Sequence, residues 1–266
     1  MTVVYEKKDH IAHVRINRPE AKNALDPETV VALADAWVDF RDDDEMRVAI
    51  VTGTGDTFCS GADLGKLIPL ITGARQPETN ADKALQNDPS LPQKALLRDF
   101  ECWKPVIAAV NGYALAGGCE LVQATDIRVA AEGASFGVPE VTWAIFPMGG
   151  SSVRLPKQLP YSKAMEYLLT GNRFDAKTAL DMGFVNYVVP ADQLMSKAEE
   201  IARKISANGP LAVKAIKQAV IENAGLGVKD ALAHELELAM PVFGSRDARE
   251  GPRAFKEKRA PKYEGR

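Results

Sequence analysis

Cysteine and histidine are scarce in this chain of 266 residues, which has three of each. The cysteines are far apart and form no CxxC pair, so we expect no disulfide framework and a reducing compartment, the cytoplasm. His10 and His13 differ in strand parity and His234 is distant, which disfavours a zinc site and a histidine-based triad. The chemistry is therefore expected to depend on carboxylates and backbone amides, without a metal.

Long apolar runs and a strong net charge are also missing. No run approaches the roughly 20 residues that span a bilayer, and the first ten residues lack the apolar stretch of a secretory signal. Lys and Arg number 33 against 36 for Asp and Glu, a formal charge of −3. This balance argues against a broad phosphate-binding surface. Neither a membrane nor a nucleic acid is expected as the main partner.

The sequence does contain a repeated alternation of strand and helix patterns. Val106–Val110 is a typical buried strand and is followed by a glycine-rich turn. Near the C-terminus, amphipathic helices follow one another with short connections. These patterns predict an α/β fold, with a core over residues 1–195 and a helical region over 196–266. The polar stretch Thr72–Pro92 is predicted to be a mobile surface excursion.

Two glycine-rich passages, Phe58–Leu64 and Ala109–Leu121, have two interpretations. They can be ordinary turns, in which glycine supplies a positive φ. Alternatively, a tight turn that enters a helix exposes unpaired N–H groups, and two such groups aimed at one point stabilise a thioester enolate. A dinucleotide-binding fingerprint is disfavoured, because Gly53-Thr54-Gly55 is not followed by the third glycine.

Two glutamates accompany these passages. Glu120 lies at the end of the second passage, and Glu140 follows 140 − 120 = 20 residues later. Both have apolar neighbours in the sequence, although a glutamate is almost never buried without a partner or a function. Two nearby carboxyls in an apolar cleft do not both ionise at neutral pH, which gives one acid and one base.

Four further passages carry a resemblance to a known family. They are INRPEAKNAL at 16–25, FGVPE at 136–140, DAREG at 247–251 and AFKEKRAP at 254–261. Together with the glycine-rich passages they resemble the crotonase (enoyl-CoA hydratase/isomerase) family nearly end to end. The resemblance implies a spiral of ββα units and a C-terminal helical region that builds trimers, often paired into hexamers.

The resemblance also implies roles for individual residues. The N–H groups of Ala62 and Gly117 match the oxyanion hole, and Glu120 and Glu140 match the two catalytic glutamates of the hydratases. Ala21 and Lys22 match residues that contact coenzyme A, and the loop over the thioester is matched by Ala62, Asp63, Leu64 and Gly65. Phe255 and Lys258 match residues that reach a coenzyme A bound to the neighbouring subunit. For Lys22 and Lys258, ordinary surface charge is the alternative.

An enoyl-CoA hydratase that acts in fatty-acid or related acyl-CoA breakdown is the function these features predict. Glu120 is expected to deprotonate water and Glu140 to protonate C2, with no cofactor besides the coenzyme A of the substrate. A dehydratase or an isomerase of the same family is the alternative. A non-enzymatic RNA-binding protein is another, because residues 246–266 hold eight Lys/Arg against four Asp/Glu. No aromatic stacking platform accompanies that charge.

The chain departs from the family pattern after Glu140. Hydratases usually have Leu-Gly where Trp143-Ala144 stands, and a glycine where Met148 follows a proline. Trp143 and Phe146 either pack the core or, with Met148, line the acyl pocket. In the second case crotonyl-CoA is expected to be a poor substrate.

The last helices predict self-association. The stretch after Met195 has apolar faces larger than a lone appendage should expose. The residues on one such face are Ala212, Ala215, Ile216, Ala219 and Val220. We therefore expect a homotrimer or a dimer of trimers.

Overall fold

The structure, a computed structural model that describes residues 1–266, contains ten strands and twelve α-helices. The strands are β1 (Val3–Lys8), β2 (Ile11–Ile16), β3 (Val48–Gly53), β4 (Thr57–Cys59), β5 (Val106–Val110), β6 (Tyr113–Leu115), β7 (Ile127–Ala131), β8 (Ser135–Gly137), β9 (Arg173–Asp175) and β10 (Tyr187–Val189). The helices are α1 (Pro27–Asp42), α2 (Leu67–Ile71), α3 (Asn80–Asn87), α4 (Leu91–Ala95), α5 (Gly117–Ala124), α6 (Ser151–Gln158), α7 (Tyr161–Thr170), α8 (Ala176–Asp181), α9 (Leu194–Ser206), α10 (Pro210–Glu222), α11 (Val228–Gly244) and α12 (Arg246–Lys256).

The strands form two sheets. Six strands make the first sheet in the order β1-β2-β3-β5-β7-β10, which is parallel apart from the β1–β2 hairpin. The second sheet has the order β4-β6-β8-β9, in which β4, β6 and β8 are parallel. Three times the chain passes from the first sheet to the second and then into helix. This alternation confirms the predicted repeat of ββα units.

Both faces of the first sheet are buried, as expected for parallel strands. Along β3, Ala49 and Val51 join the large core, whereas Val48 and Ile50 join a second cluster on the opposite face. Helix α1 packs into the large core through Trp37 and Phe40. Asp26 caps this helix by accepting from the Thr29 N–H, and Pro27 occupies its first turn.

Helix α9 covers the second cluster. Its buried residues Leu194, Ala198 and Ile201 pack against β3, β5 and β7. The boundary predicted at 195/196 therefore lies inside a helix that packs on the first sheet. The two-part division itself stays a prediction.

The stretch 72–92 lies mostly on the surface, as predicted, and contains a helix that the sequence analysis did not predict. It contains α3, whose first turn has a capping box: the Thr79 hydroxyl accepts from the Asp82 N–H, and the Asp82 carboxylate accepts from the Thr79 N–H. Buried Asp82 also pairs with Arg75 at 2.6 Å. The stretch has too few apolar residues to predict this helix, which a cap and the Arg75–Asp82 ion pair hold. Its mobility stays a prediction.

Polar contacts attach the C-terminal region to the first sheet. Lys217 on α10 pairs with Asp126 at 2.8 Å, and the same Asp126 accepts from the Val106 N–H at the start of β5. The Arg47 guanidinium donates to the carbonyls of Ser206 and Tyr263. No helix in the structure is both long and apolar enough to cross a membrane.

Candidate active site

Three adjacent strands of the second sheet end at one place. The loop after β4 leads to Ala62, β6 leads through Ala116 to Gly117, and β8 leads through a short 3₁₀ turn to Glu140. Since β4, β6 and β8 are parallel neighbours, their carboxyl ends lie at the same edge of the sheet. Ligands of α/β folds commonly bind at such an edge. The fold therefore brings Ala62, Gly117 and Glu140, three of the predicted site residues, to one edge of the sheet.

The turns after β4 and β6 touch each other. Gly61 has φ +94°, and a Cβ there would lie 2.6 Å from Ala116 Cβ and 3.2 Å from the Gly117 nitrogen. Ala116 itself has φ +50°, an uncommon value for a residue with a side chain. The Ala116 N–H donates to the Gly137 carbonyl at the end of β8. A strained and crowded backbone thus fixes the two turns against each other.

The Ala62 and Gly117 N–H groups are available to a ligand. Ala62 forms an isolated β-bridge with Leu25. The N–H groups of Leu25 and Asp63 donate the two hydrogen bonds of this bridge, so the Ala62 N–H makes none within the chain. Gly117 is the first residue of α5, where N–H groups have no intrahelical partner. Both residues line the same pocket. Two unpaired N–H donors on one pocket are what an oxyanion hole requires.

Glu120 is only 3% exposed and lies on the first turn of α5. Its Oε1 accepts from the Ser151 N–H at the start of α6, at 3.1 Å. Burial raises the pKa of Glu120, while the N–H groups of Ser151 and Gly149, the Ser151 hydroxyl and the Arg154 charge act to lower it. These contacts favour the carboxylate form within a buried site.

Glu140 has a different environment. Burial, followed by the charge of Glu120, raises the pKa of Glu140 to about 7. Its Oε2 is buried and has no hydrogen-bond partner within the chain. The two glutamates line one pocket, but Glu120 has several groups that stabilise a negative charge, whereas Glu140 has only its own backbone N–H. This difference lets Glu140 hold a proton near neutral pH while Glu120 is ionised.

The pocket has a volume of about 210 Å³, and its wall is mostly apolar. Trp143 is 66% exposed, Phe146 65% and Met148 57%, and all three line the pocket. The interpretation that Trp143 and Phe146 pack the core is therefore wrong. Leu64, on the opposite loop, also lines the pocket.

A comparison with known protein families gives a match over nearly the whole chain. The model of the enoyl-CoA hydratase/isomerase family matches residues 6–266. The chain belongs to the enoyl-CoA hydratase/isomerase family.

Several characterised members of this family are similar over almost their full length. The chain is 44% identical to enoyl-CoA hydratase EchA19 of Mycobacterium tuberculosis over 98% of this chain and 96% of that protein. It is 38% identical to (E)-benzylidenesuccinyl-CoA hydratase of Thauera aromatica over 100% of both chains. It is 41% identical to carnitinyl-CoA dehydratase of Salmonella typhi over 96% of this chain and 95% of that one.

Solved structures of family members have the same fold. The enoyl-CoA hydratase of Bacillus anthracis superposes with a TM-score of 0.89 at 35% identity, over 100% of both chains. Enoyl-CoA hydratase EchA1 of Mycobacterium marinum gives 0.87 at 38% identity, over 100% of this chain and 99% of that one. The crotonase-like fold expected from the sequence is confirmed.

The residues matched to the family's coenzyme A contacts lie in several places. Ala21 ends a 3₁₀ turn, and Lys22 follows it and pairs with Asp56 at 3.1 Å on the surface. The Lys22 carbonyl accepts from Ser60, which lines the pocket, so this segment borders the site. Asp63 does not line the pocket: its carboxylate accepts from the N–H groups of Gly65 and Lys66 and pairs with Arg18, which shapes the loop.

Phe255 and Lys258 do not join the pocket of their own chain. Phe255 is 86% exposed on α12, and Lys258 is exposed just beyond the end of that helix. Neither residue is among those that line the pocket with Glu120 and Glu140. Their predicted role at a neighbouring subunit's ligand stays a prediction.

Sequence reasoning missed the contribution of the segment 149–154. Gly149 approaches Glu120 so closely that a Cβ on it would lie 2.3 Å from Glu120 Oε2. Ser151 donates to Glu120, and Arg154 carries a positive charge beside it. The Gly149-Gly150-Ser151 turn before a helix was the available signal, since it repeats the strand-to-helix glycine pattern of the other two turns.

Proposed function

We propose that this protein reversibly adds water across the 2,3 double bond of a trans-2-enoyl-CoA thioester, in the breakdown of fatty acids or related acyl groups. The observation that supports this most is the unlike environment of two glutamates beside two free N–H groups in one pocket. Relatives named hydratase and dehydratase are similar over the whole chain. Dehydration is the same reaction in reverse.

Each group has one step in the proposed reaction. The thioester oxygen lies between the Ala62 and Gly117 N–H groups, which stabilise the enolate that forms when water attacks C3. Ionised Glu120 accepts a proton from that water, and protonated Glu140 donates a proton to C2. The Met148 N–H makes no hydrogen bond within the chain and is free to hold the water. The steps require no metal and no cofactor besides the substrate's coenzyme A.

The first experiment measures hydration of a panel of enoyl-CoA thioesters by the wild type, Glu120→Gln and Glu140→Gln. Each substitution should reduce kcat by about 10²–10⁴-fold, the usual contribution of a general acid or base. Glu132→Gln is a suitable control, because Glu132 is exposed and does not line the pocket. Circular dichroism establishes that each variant is folded. Near wild-type turnover by either folded glutamine variant would contradict the assigned roles.

The same panel tests the identity of the acyl group. Trp143, Phe146 and Met148 project into the pocket, and we propose that they shape its acyl end and make crotonyl-CoA a poor substrate. Met148→Gly should raise kcat/KM for crotonyl-CoA, by about 10-fold if the side chain crowds the water. Each methylene in such a pocket contributes about 1–3 kcal/mol, so the preference should be graded. Rapid crotonyl-CoA hydration by the wild type, unchanged in Met148→Gly, would contradict the proposal.

Self-association and coenzyme A binding are the remaining parts of the proposal. Helices α10 and α11 form an open apolar cavity of about 670 Å³ lined by 13 hydrophobic residues among 15. A second and third copy of the chain are the proposed partners of this surface, in a trimer or a dimer of trimers. Phe255 and Lys258 would then contact coenzyme A across the subunit interface, while Ala21, Lys22 and Leu64 contact it within one chain.

A further inference from the structure

Arg154 connects two segments of the wall behind the pocket. It lies on the first turn of α6, and its Nη2 donates to the Leu97 carbonyl at 2.9 Å. Its Nη1 donates to the Gly149 carbonyl at 3.3 Å. The guanidinium thus ties the turn that precedes α6 to the segment that follows α4. A lysine has the charge but not the fork that reaches both carbonyls.

The two tied segments are the ones that surround Glu120. A Cβ on Gly149 would lie 2.3 Å from Glu120 Oε2 and 2.8 Å from Leu96 Cδ1, so this turn, the carboxylate and Leu96 are in close contact. Leu96 and Gly149 both line the pocket. Leu97 has φ +52° and is buried, which indicates that tertiary contacts hold the segment in its conformation.

The environments of the two glutamates differ most where Glu120 contacts the Gly149 turn. Glu120 faces the first N–H groups of α6 and the Arg154 charge, and both favour an anion. Glu140 has neither, and one of its oxygens is buried without a partner. We infer that Arg154 is a positioning residue that holds the single negative charge of the pair on Glu120 by fixing the Gly149 turn beneath it. The inference rests on the proposed function only where it concerns turnover, because the charge on Glu120 can be measured without a reaction.

Other charged groups near this contact do not replace Arg154. Asp99 and Arg98, from the segment after α4, act on Arg154 with opposite signs. The Arg98 guanidinium donates to the Met148 carbonyl, one residue before the Gly149 turn. From α5 the titratable neighbour is Cys119, whose thiol is buried with a pKa raised to about 12 and is therefore neutral. Arg154 is the one cation that favours the ionised form of Glu120.

The test is a direct titration of Glu120, which does not require turnover. In a Glu140→Gln variant, infrared difference spectra measure the carboxyl C=O band of Glu120 as a function of pH. A further Glu120→Gln substitution should remove this band and so verifies its assignment. Adding Arg154→Gln should raise the pKa of Glu120, because it removes a positive charge that favours the carboxylate and releases the Gly149 turn. Arg154→Lys keeps the charge but cannot tie both carbonyls, so it should also raise the pKa of Glu120, by less than Arg154→Gln does.

Arg98→Gln is the matched control, because it removes a neighbouring arginine that also bonds a carbonyl of the same loop. It should leave the pKa of Glu120 unchanged. An unchanged titration in Arg154→Gln, or an equal shift in Arg98→Gln, would overturn the inference. If Arg154→Gln does not fold, Arg154→Lys decides: a pKa of Glu120 equal to that of the parent protein would also overturn the inference. Absence of hydration by the wild type would refute the proposed function and leave this titration valid.

Discussion

Glu140 combines burial, a pKa near neutrality and an oxygen without a hydrogen-bond partner. In the proposed hydration it must be protonated, so kcat/KM should decrease as the pH rises above about 7. Glu120 must be ionised, which gives an opposite decrease on the acid side and a bell-shaped profile. A pH–rate profile of the free enzyme measures both limbs. An alkaline limb that persists unchanged in Glu140→Asp, where the carboxyl is displaced, would assign that limb to another group.

The same carboxyl should affect stability. Its pKa is raised from 4.5 to about 7 in the folded protein, so its contribution is present at low pH and is lost as the pH rises through about 7. The change that Glu140→Gln causes in the free energy of unfolding should therefore be more favourable at pH 8 than at pH 5. The difference should be on the order of 2 kcal/mol, because one pKa unit corresponds to about 1.4 kcal/mol and partial exposure screens some of it. Urea unfolding of both proteins at the two pH values measures this change. An equal change in the free energy of unfolding at pH 5 and pH 8 would contradict a raised pKa of Glu140.

Gly61 is the residue at which the contact between the two oxyanion turns is most easily broken. Gly61→Ala introduces a methyl group 2.6 Å from Ala116 Cβ, which must separate the turns. We expect a loss in kcat of about 10²-fold or more, the contribution of one misplaced oxyanion donor. Gly73→Ala is the control, since Gly73 also has a positive φ, of +74°, but no atom within 4 Å of the added methyl. Equal losses in the two variants would attribute the effect to backbone strain alone.

At the scale of elements, α3 begins with a capping box and buries few residues. It has eight residues, of which only Asp82 and Leu85 are buried. Thr79→Ala removes the hydroxyl that accepts from the Asp82 N–H and should destabilise the helix by about 1 kcal/mol. Thr79→Ser retains the hydroxyl and should have a smaller effect. Hydrogen exchange of the amides in α3 measures the loss, and protection unchanged in Thr79→Ala would show that the Arg75–Asp82 pair suffices.

The elements differ in how far the sequence predicts them. Val106–Val110 is apolar throughout and was predicted as a buried strand, which β5 confirms. The sequence analysis does not predict helix α3, because an ion pair between partly buried Arg75 and buried Asp82 has no periodic signature. The carboxylates at Glu120 and Glu140 were recognised because charged residues in apolar surroundings are rare. Their unlike environments depend on Arg154 and Ser151, which are distant in sequence, and could not be predicted from local pattern.

At the scale of the whole molecule, the apolar face of α10 and α11 should control assembly. Val220 is exposed in a single chain and lines the cavity between these helices. Val220→Asp places a charge in the proposed interface and should convert the proposed trimer to monomers in analytical ultracentrifugation. Leu169→Asp is the control, because Leu169 is also exposed but lies on α7, away from this cavity. A stable and fully active wild-type monomer would contradict the proposed assembly.

The origin of the site at the ends of three neighbouring strands has a consequence for how this enzyme can be altered. The two groups assigned to the thioester oxygen are main-chain atoms of Ala62 and Gly117, so most side-chain replacements leave their chemistry untouched. The groups assigned to the acyl end are side chains of one loop, at Trp143, Phe146 and Met148. Libraries randomised at these three positions should therefore yield new acyl preferences among variants that still stabilise an enolate. In this architecture the acyl group that binds can be changed without changing the groups that stabilise the enolate.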